Sequence, residues 1–113
     1  MSTFIKHIGS AVKERNSVTI EAYFRDSSNA ASAPTTVHYR IDDLTTRTAI
    51  TGWTSVTPGV SVSIVVKSNE NRIIDHSNAR ERRQITVSAD KGTTTETRDT
   101  TEYFIDNIMG YDE

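Results

Sequence analysis

Few side chains of this sequence stand where chemistry needs them. The histidines are His7, His38 and His76, and none lies at helical or strand spacing from another. Zinc normally takes three or four N, S or O ligands. With no cysteine in the chain, a metal site of that kind has no visible ligand set. Asp75-His76 is the only adjacent His-acid pair, and neighbouring residues of a strand point to opposite faces. Solvated surface is its expected place. Asp42-Asp43, with Asp106 or Glu70, could offer calcium oxygens, but no Asp-x-Asp-x-Asp-Gly loop is present and a plain turn is the simpler reading. Serine and threonine are plentiful, yet no Gly-x-Ser-x-Gly elbow and no glycine-rich phosphate loop occurs. The sequence therefore predicts a non-enzyme with no catalytic residue, no metal and no cofactor.

Arg80, Arg82 and Arg83 cluster around Glu81. Phosphate binding would want more positive charge and aromatic partners. A solvated strand edge, or a protein interface bridged to an acidic neighbour, are the two readings of this cluster. Trp53, the only tryptophan, is either an interface anchor or a plug in the core; core packing is the expectation, since its ring can cover a large apolar area.

The elements that would carry these residues are strands. Thr and Ser are abundant, and both disfavour helix interiors. Val18, Ile20, Ala22 and Phe24 alternate with Thr19, Glu21 and Tyr23; Val37, Tyr39 and Ile41 alternate with Thr36, His38 and Arg40. Val60, Val62, Ile64 and Val66 form the strongest run, and Ile85, Val87 and Ala89 a fourth. Weaker strands are expected at Phe4 to Ile8, at Leu44 to Thr51 with Ile50 facing inward, and at Thr101 to Ile108, where Tyr103 and Ile105 compete with Phe104 for the inner face. Asn71 to Arg83 is polar, with room for one short helical turn. Turn signals fall between the runs: Asp26 to Pro34, Asp42-Asp43, Pro58-Gly59, Asn69 to Asn71 and Asp90 to Gly92. This is the pattern of an all-β fold, a single immunoglobulin-like or fibronectin-type sandwich of about seven antiparallel strands over residues 1–113. Residues 1–15 are an edge strand or an assembly arm, and 109–113 a C-terminal tail.

Bulk properties agree. A chain of 113 residues suits one domain, and 35% hydrophobic residues suffice for two facing sheets, where each strand needs only every second position apolar. A net charge of -2 argues against nucleic-acid binding. No run approaches the roughly 20 apolar residues of a membrane span, and no signal peptide is visible, which points to a protein made in a cytoplasm.

The order Tyr39-Arg40-Ile41-Asp42, Trp53-Thr54, the Ser/Val run to Val66, Asn71, Glu81-Arg82-Arg83 and Ile85-Thr86-Val87 resembles the Ig-like modules of tailed-bacteriophage virion proteins. Tyr103, Asn107 and Gly110-Tyr111 are also similar, so the resemblance covers roughly residues 16 to 111. It implies a structural role in the particle: a decoration or cement protein, or a neck or tail accessory, located in the virion and bound to capsid, neck or tail subunits in a homo- or hetero-oligomeric assembly. Neither nucleic acid nor membrane is an expected partner. Loops, edges and chain ends would make the contacts, with Phe4, Ile5, Ile8, Arg80, Arg82, Arg83 and Tyr111 as interface candidates and the Asp26 to Pro34 loop ordering against a neighbour. Two other readings stay open: a carbohydrate-recognition domain using Trp53 with Tyr23, Tyr39 or Tyr111, and a general interaction domain whose sheet edge accepts a peptide strand.

Overall fold

The alternating runs become strands in two sheets. The computed structural model describes residues 2–5 and 11–108. Within them the strands are β1 Ser2–Ile5, β2 Ala11–Lys13, β3 Val18–Arg25, β4 Val37–Asp43, β5 Thr48–Val56, β6 Ser61–Val66, β7 Arg80–Ala89 and β8 Thr97–Asp106. One sheet has the order β1-β3-β6 and the other β2-β8-β7-β4-β5. Among the described residues the fold is all-β apart from one 3₁₀ turn at Ser68–Asn71. Among the described residues no helix is long and apolar enough to cross a membrane.

Period-two burial explains the layers. Ile20, Ala22 and Phe24 of β3 and Val62, Ile64 and Val66 of β6 are buried on one sheet. Val37, Tyr39 and Ile41 of β4, Ile85, Val87 and Ala89 of β7, and Tyr103 and Ile105 of β8 are buried on the other. All belong to one core cluster, joined by Ile73 from the β6–β7 connection. Fully burying a side chain of this size stabilises by about 1.5–3 kcal/mol, so this shared face is the main cohesive term. On β8 the inner face goes to Tyr103 and Ile105, and Phe104 points outward.

Four expectations need correcting. First, the described residues form eight strands where about seven were expected, and they are not all antiparallel: β1 pairs antiparallel with β3, whereas β2 pairs parallel with β8. The amino-terminal region thus contributes a short edge strand to each sheet. Second, the strand expected at Leu44 to Thr51 lies at Thr48–Val56. Asp43 Oδ2 accepts from the Thr46 amide (2.8 Å) and hydroxyl (2.6 Å), and Arg47 takes a positive φ, so Leu44 to Arg47 is spent on the turn. Third, Val60 is 49% exposed and lies before β6, its carbonyl accepting from the Phe24 amide. Fourth, the Asp26 to Pro34 loop is ordered from within. Asp26 Oδ1 accepts from the amides of Ser28 and Ala30, the Ser32 amide donates to the Phe24 carbonyl, and Pro34 is buried. The short helical turn falls just ahead of the segment expected to hold it. Ile8 and Tyr111 lie outside the described residues, as does His7.

Candidate binding surfaces

The arginine cluster separates by strand parity. Arg80 and Arg82 are exposed, but Arg83 shares the inward face of β7 with Ile85, Val87 and Glu81 and is fully buried. Arg83 therefore cannot be an interface residue. Its Nε donates to Asp43 Oδ1 at 2.7 Å, its Nη1 to the Glu70 carbonyl at 2.6 Å, and its Nη2 to the Arg72 carbonyl and, at 3.4 Å, to Glu81 Oε1. Glu81, also fully buried, accepts in addition from the amides of Ile74 and Asp75 and from Asn78 Nδ2. A guanidinium has five donors in a planar fork, which is why one arginine can tie a turn, a strand and the β6–β7 connection together.

Buried Asn71 extends the network: Tyr103 Oη donates to its Oδ1 at 2.6 Å, and its Nδ2 donates to the Asn16 carbonyl at 2.7 Å. Burial holds the Tyr103 phenol well above its ordinary pKa. Removing the hydroxyl leaves a buried acceptor unmatched. Tyr103→Phe is expected to destabilise by about 1–3 kcal/mol in urea unfolding. In the intact protein the phenol should ionise only as the chain unfolds in alkali, followed by its absorbance.

The remaining acids are also engaged. Asp42 takes both Nε and Nη2 of Arg40, Asp106 takes Arg80, and Glu70 accepts from the Lys67 amide and the Thr51 hydroxyl. Among the described residues no group of three His, Asp or Glu side chains is placed to hold a metal ion. His76 is half-buried and its nearest acid is not Asp75 alone: its Nε2 stands 4.0 Å from Oε2 of Glu14, which is buried and whose Oε1 accepts from the Ile108 amide. Nothing in the sequence around Glu14 marks it as buried, because its partners come from the far end of the chain.

Trp53 is not in the core. It sits half-buried on the outer face of the five-stranded sheet, with Arg40, Lys91 and Arg98 at 5.6, 5.1 and 5.0 Å from the ring centroid. Trp53 is on β5 and Arg98 on β8, with β4 and β7 between, a separation of roughly 14 Å at the usual strand spacing. Their side chains meet above the intervening strands and cover Thr86 and Ser88, which are buried although they face outward. Each cation–π contact contributes about 0.5–1 kcal/mol at an exposed site. Glu96 anchors this assembly, accepting from the Ser88 hydroxyl, from Arg98 Nε at 2.6 Å and from the Gly92 amide. Its hydrogen bonds to Ser88 and then Arg98 lower its pKa to about 2. A carboxylate held below its ordinary value contributes stability above about pH 4.5 that is lost as the pH falls towards about 2. Wild type should then be more stable than Glu96→Gln at pH 6, with the gap closing at pH 2 to 3 in denaturant titrations.

Farther down the same face Arg80 lies over Phe104 at 4.7 Å, and Arg82 reaches Glu102 at 3.4 Å. The opposite outer face, on the three-stranded sheet, presents two aromatic side chains instead. Phe4 is 47% exposed and sits directly across from Tyr23, whose other neighbour is Ser61 on β6. Val60 and Val65 are exposed near the two ends of β6. Ile5 faces the other way and packs against the core, so of the two described amino-terminal interface candidates Phe4 is the one presented outward. The aromatic candidates for glycan stacking do not share a surface: Trp53 and Tyr23 are on opposite sheets, Tyr39 is buried, and Tyr111 lies outside the described residues. Comparisons with protein-family models, with curated proteins and with solved structures find no match.

Proposed function

We propose that this chain is an immunoglobulin-like, fibronectin-type sandwich that serves, without catalysis, as a structural subunit of a tailed-bacteriophage virion. The strand order supports the fold assignment. Taking β1 and β2 as the two halves of a first strand A, the pairs β3-β6 and β4-β7-β8 correspond to B-E and C-F-G of the immunoglobulin sandwich. The placement in a virion rests on the motif order from Tyr39 to Val87.

The observation that carries the docking role is the exposed cross-strand pair Phe4–Tyr23, on a sheet face that also exposes Val65. The buried charges of Arg83, Asp43 and Glu81 are answered by internal hydrogen bonds, whereas Phe4 and Tyr23 leave apolar surface on the outside. Aromatic side chains with few rotatable bonds are strong interface anchors when a partner desolvates them. A neighbouring capsid, neck or tail subunit covering Phe4 and Tyr23 gains that apolar area while β3 and β6 hold it rigid. Phe4→Ser combined with Tyr23→Ser should fold normally, since both side chains are exposed, and should lower incorporation into particles at least tenfold in competition with wild type. Incorporation at the wild-type level would overturn the assignment of this face.

A further inference from the structure

We propose that the free edge of β5 is a docking site for an extended, acidic peptide segment of a partner protein. The edges of the two sheets are β1, β6, β2 and β5. Natural sheets blunt their edges by shortness, charge, proline or bulges, because exposed backbone groups invite another strand. β1 has four residues and β2 three. β5 has nine, Thr48–Val56, with no charged residue and no proline. Two register shifts against β4, between Tyr39 and Ile41 and between Ile41 and Asp42, irregularise its first half. Its second half is straight: Thr54, Ser55 and Val56 run in unbroken register with Tyr39, His38 and Val37. β6 is also uncharged but is shorter, with six residues.

The chemistry of the occupant follows from the cations gathered on Trp53 of this strand. Arg40, Lys91 and Arg98 all lie close to the Trp53 ring, so no two of these charges are farther apart than about one Debye length, roughly 10 Å. Asp42 answers Arg40 and Glu96 answers Arg98, while Lys91 makes no ion pair among the described residues. The patch therefore keeps a net positive charge on the outer face of β5. A strand added to the edge sends alternate side chains to that face, and carboxylates there meet the unspent cation. A second copy of this chain fits poorly. An antiparallel β5–β5 pairing about a twofold axis brings the two cationic patches to the same sheet face.

The test uses the intact protein and a blocked seven-residue peptide of alternating Glu and Val, followed by fluorescence anisotropy and amide hydrogen exchange. The expected result is saturable binding, with exchange at Trp53 to Val56 slowed at least tenfold, and Lys91→Glu weakening binding at least tenfold while the free protein stays folded, with only the few-degree loss of melting temperature that one cation–π contact accounts for. A peptide with Lys in place of Glu, and one with alternate backbone nitrogens methylated, should both fail to bind. The proposal falls if the Glu peptide does not bind, if either control binds equally, if protection appears on β6, or if Trp53 to Val56 become protected by raising the protein concentration alone. The Phe4→Ser/Tyr23→Ser variant should bind the peptide like wild type, so failure here and failure of the docking face on the other sheet are distinguishable.

Discussion

Arg83→Met is expected to lower the melting temperature by roughly 12–40 °C, or to leave the chain unfolded at room temperature. The cost of deleting one member of a buried ionic network is about 3–5 kcal/mol, and each kcal/mol shifts the midpoint of a domain this size by roughly 4–8 °C. The reason lies in what remains. Asp43 and Glu81 are left as buried carboxylates without their cation, and the carbonyls of Glu70 and Arg72 lose their donor. Methionine fills much of the volume, so the loss is electrostatic rather than a cavity. Arg83→Lys should be intermediate: it keeps the charge but not the fork that serves four acceptors. Thermal melts followed by circular dichroism give the ranking. A loss under about 1 kcal/mol for the methionine variant, within the range of an ordinary surface pair, would contradict the network's structural role.

The second large effect concerns the amino terminus. As a free arm, residues 1–5 would be dispensable for folding. As β1 they are not: they pair with β3 in register from Ser2 to Ile5, and they also reach the other sheet. The Thr3 hydroxyl meets that of Thr97 at 2.7 Å, and the Ile5 amide donates to Asp99 Oδ2 at 3.0 Å. Removing residues 1–5 takes away these bonds, uncovers the edge of β3 and exposes the apolar surface under Ile5. With net hydrogen bonds of about 1 kcal/mol each, the deletion should cost about 2–4 kcal/mol in urea unfolding. An unchanged midpoint would restore the arm. Because the deletion also removes Phe4, its effect on assembly is not informative, which is why the paired serine variant is the test of docking.

The sheet-forming core was legible in the sequence where one face of a strand is buried and the other is not. β3, β4 and β6 declare themselves by period two, and their inward residues are ones that alternation selects, whereas on β8 the pattern left Tyr103 and Ile105 competing with Phe104. β7 was half legible. Glu81 and Arg83 have the same parity as Ile85, Val87 and Ala89, and that parity was the available sign that two charges point inward. Their type argued for solvent, and only the facing Asp43, forty positions earlier in sequence, reverses it. β1 and β2 are too short to carry a period. β5 is displaced by a turn that Asp43 holds from its side chain, and Trp53 leaves the core because cations from three separate segments gather on its ring. Long-range electrostatics decided what local pattern did not.

The functional account reduces to one measurement: the amount of this protein in purified phage particles, by quantitative mass spectrometry of gradient-banded virions against the major capsid protein. A structural subunit is retained through purification at a fixed ratio to the capsid protein, a ratio that does not change with salt washing. Absence from the banded particles, with the protein remaining in the lysate, would contradict the virion assignment.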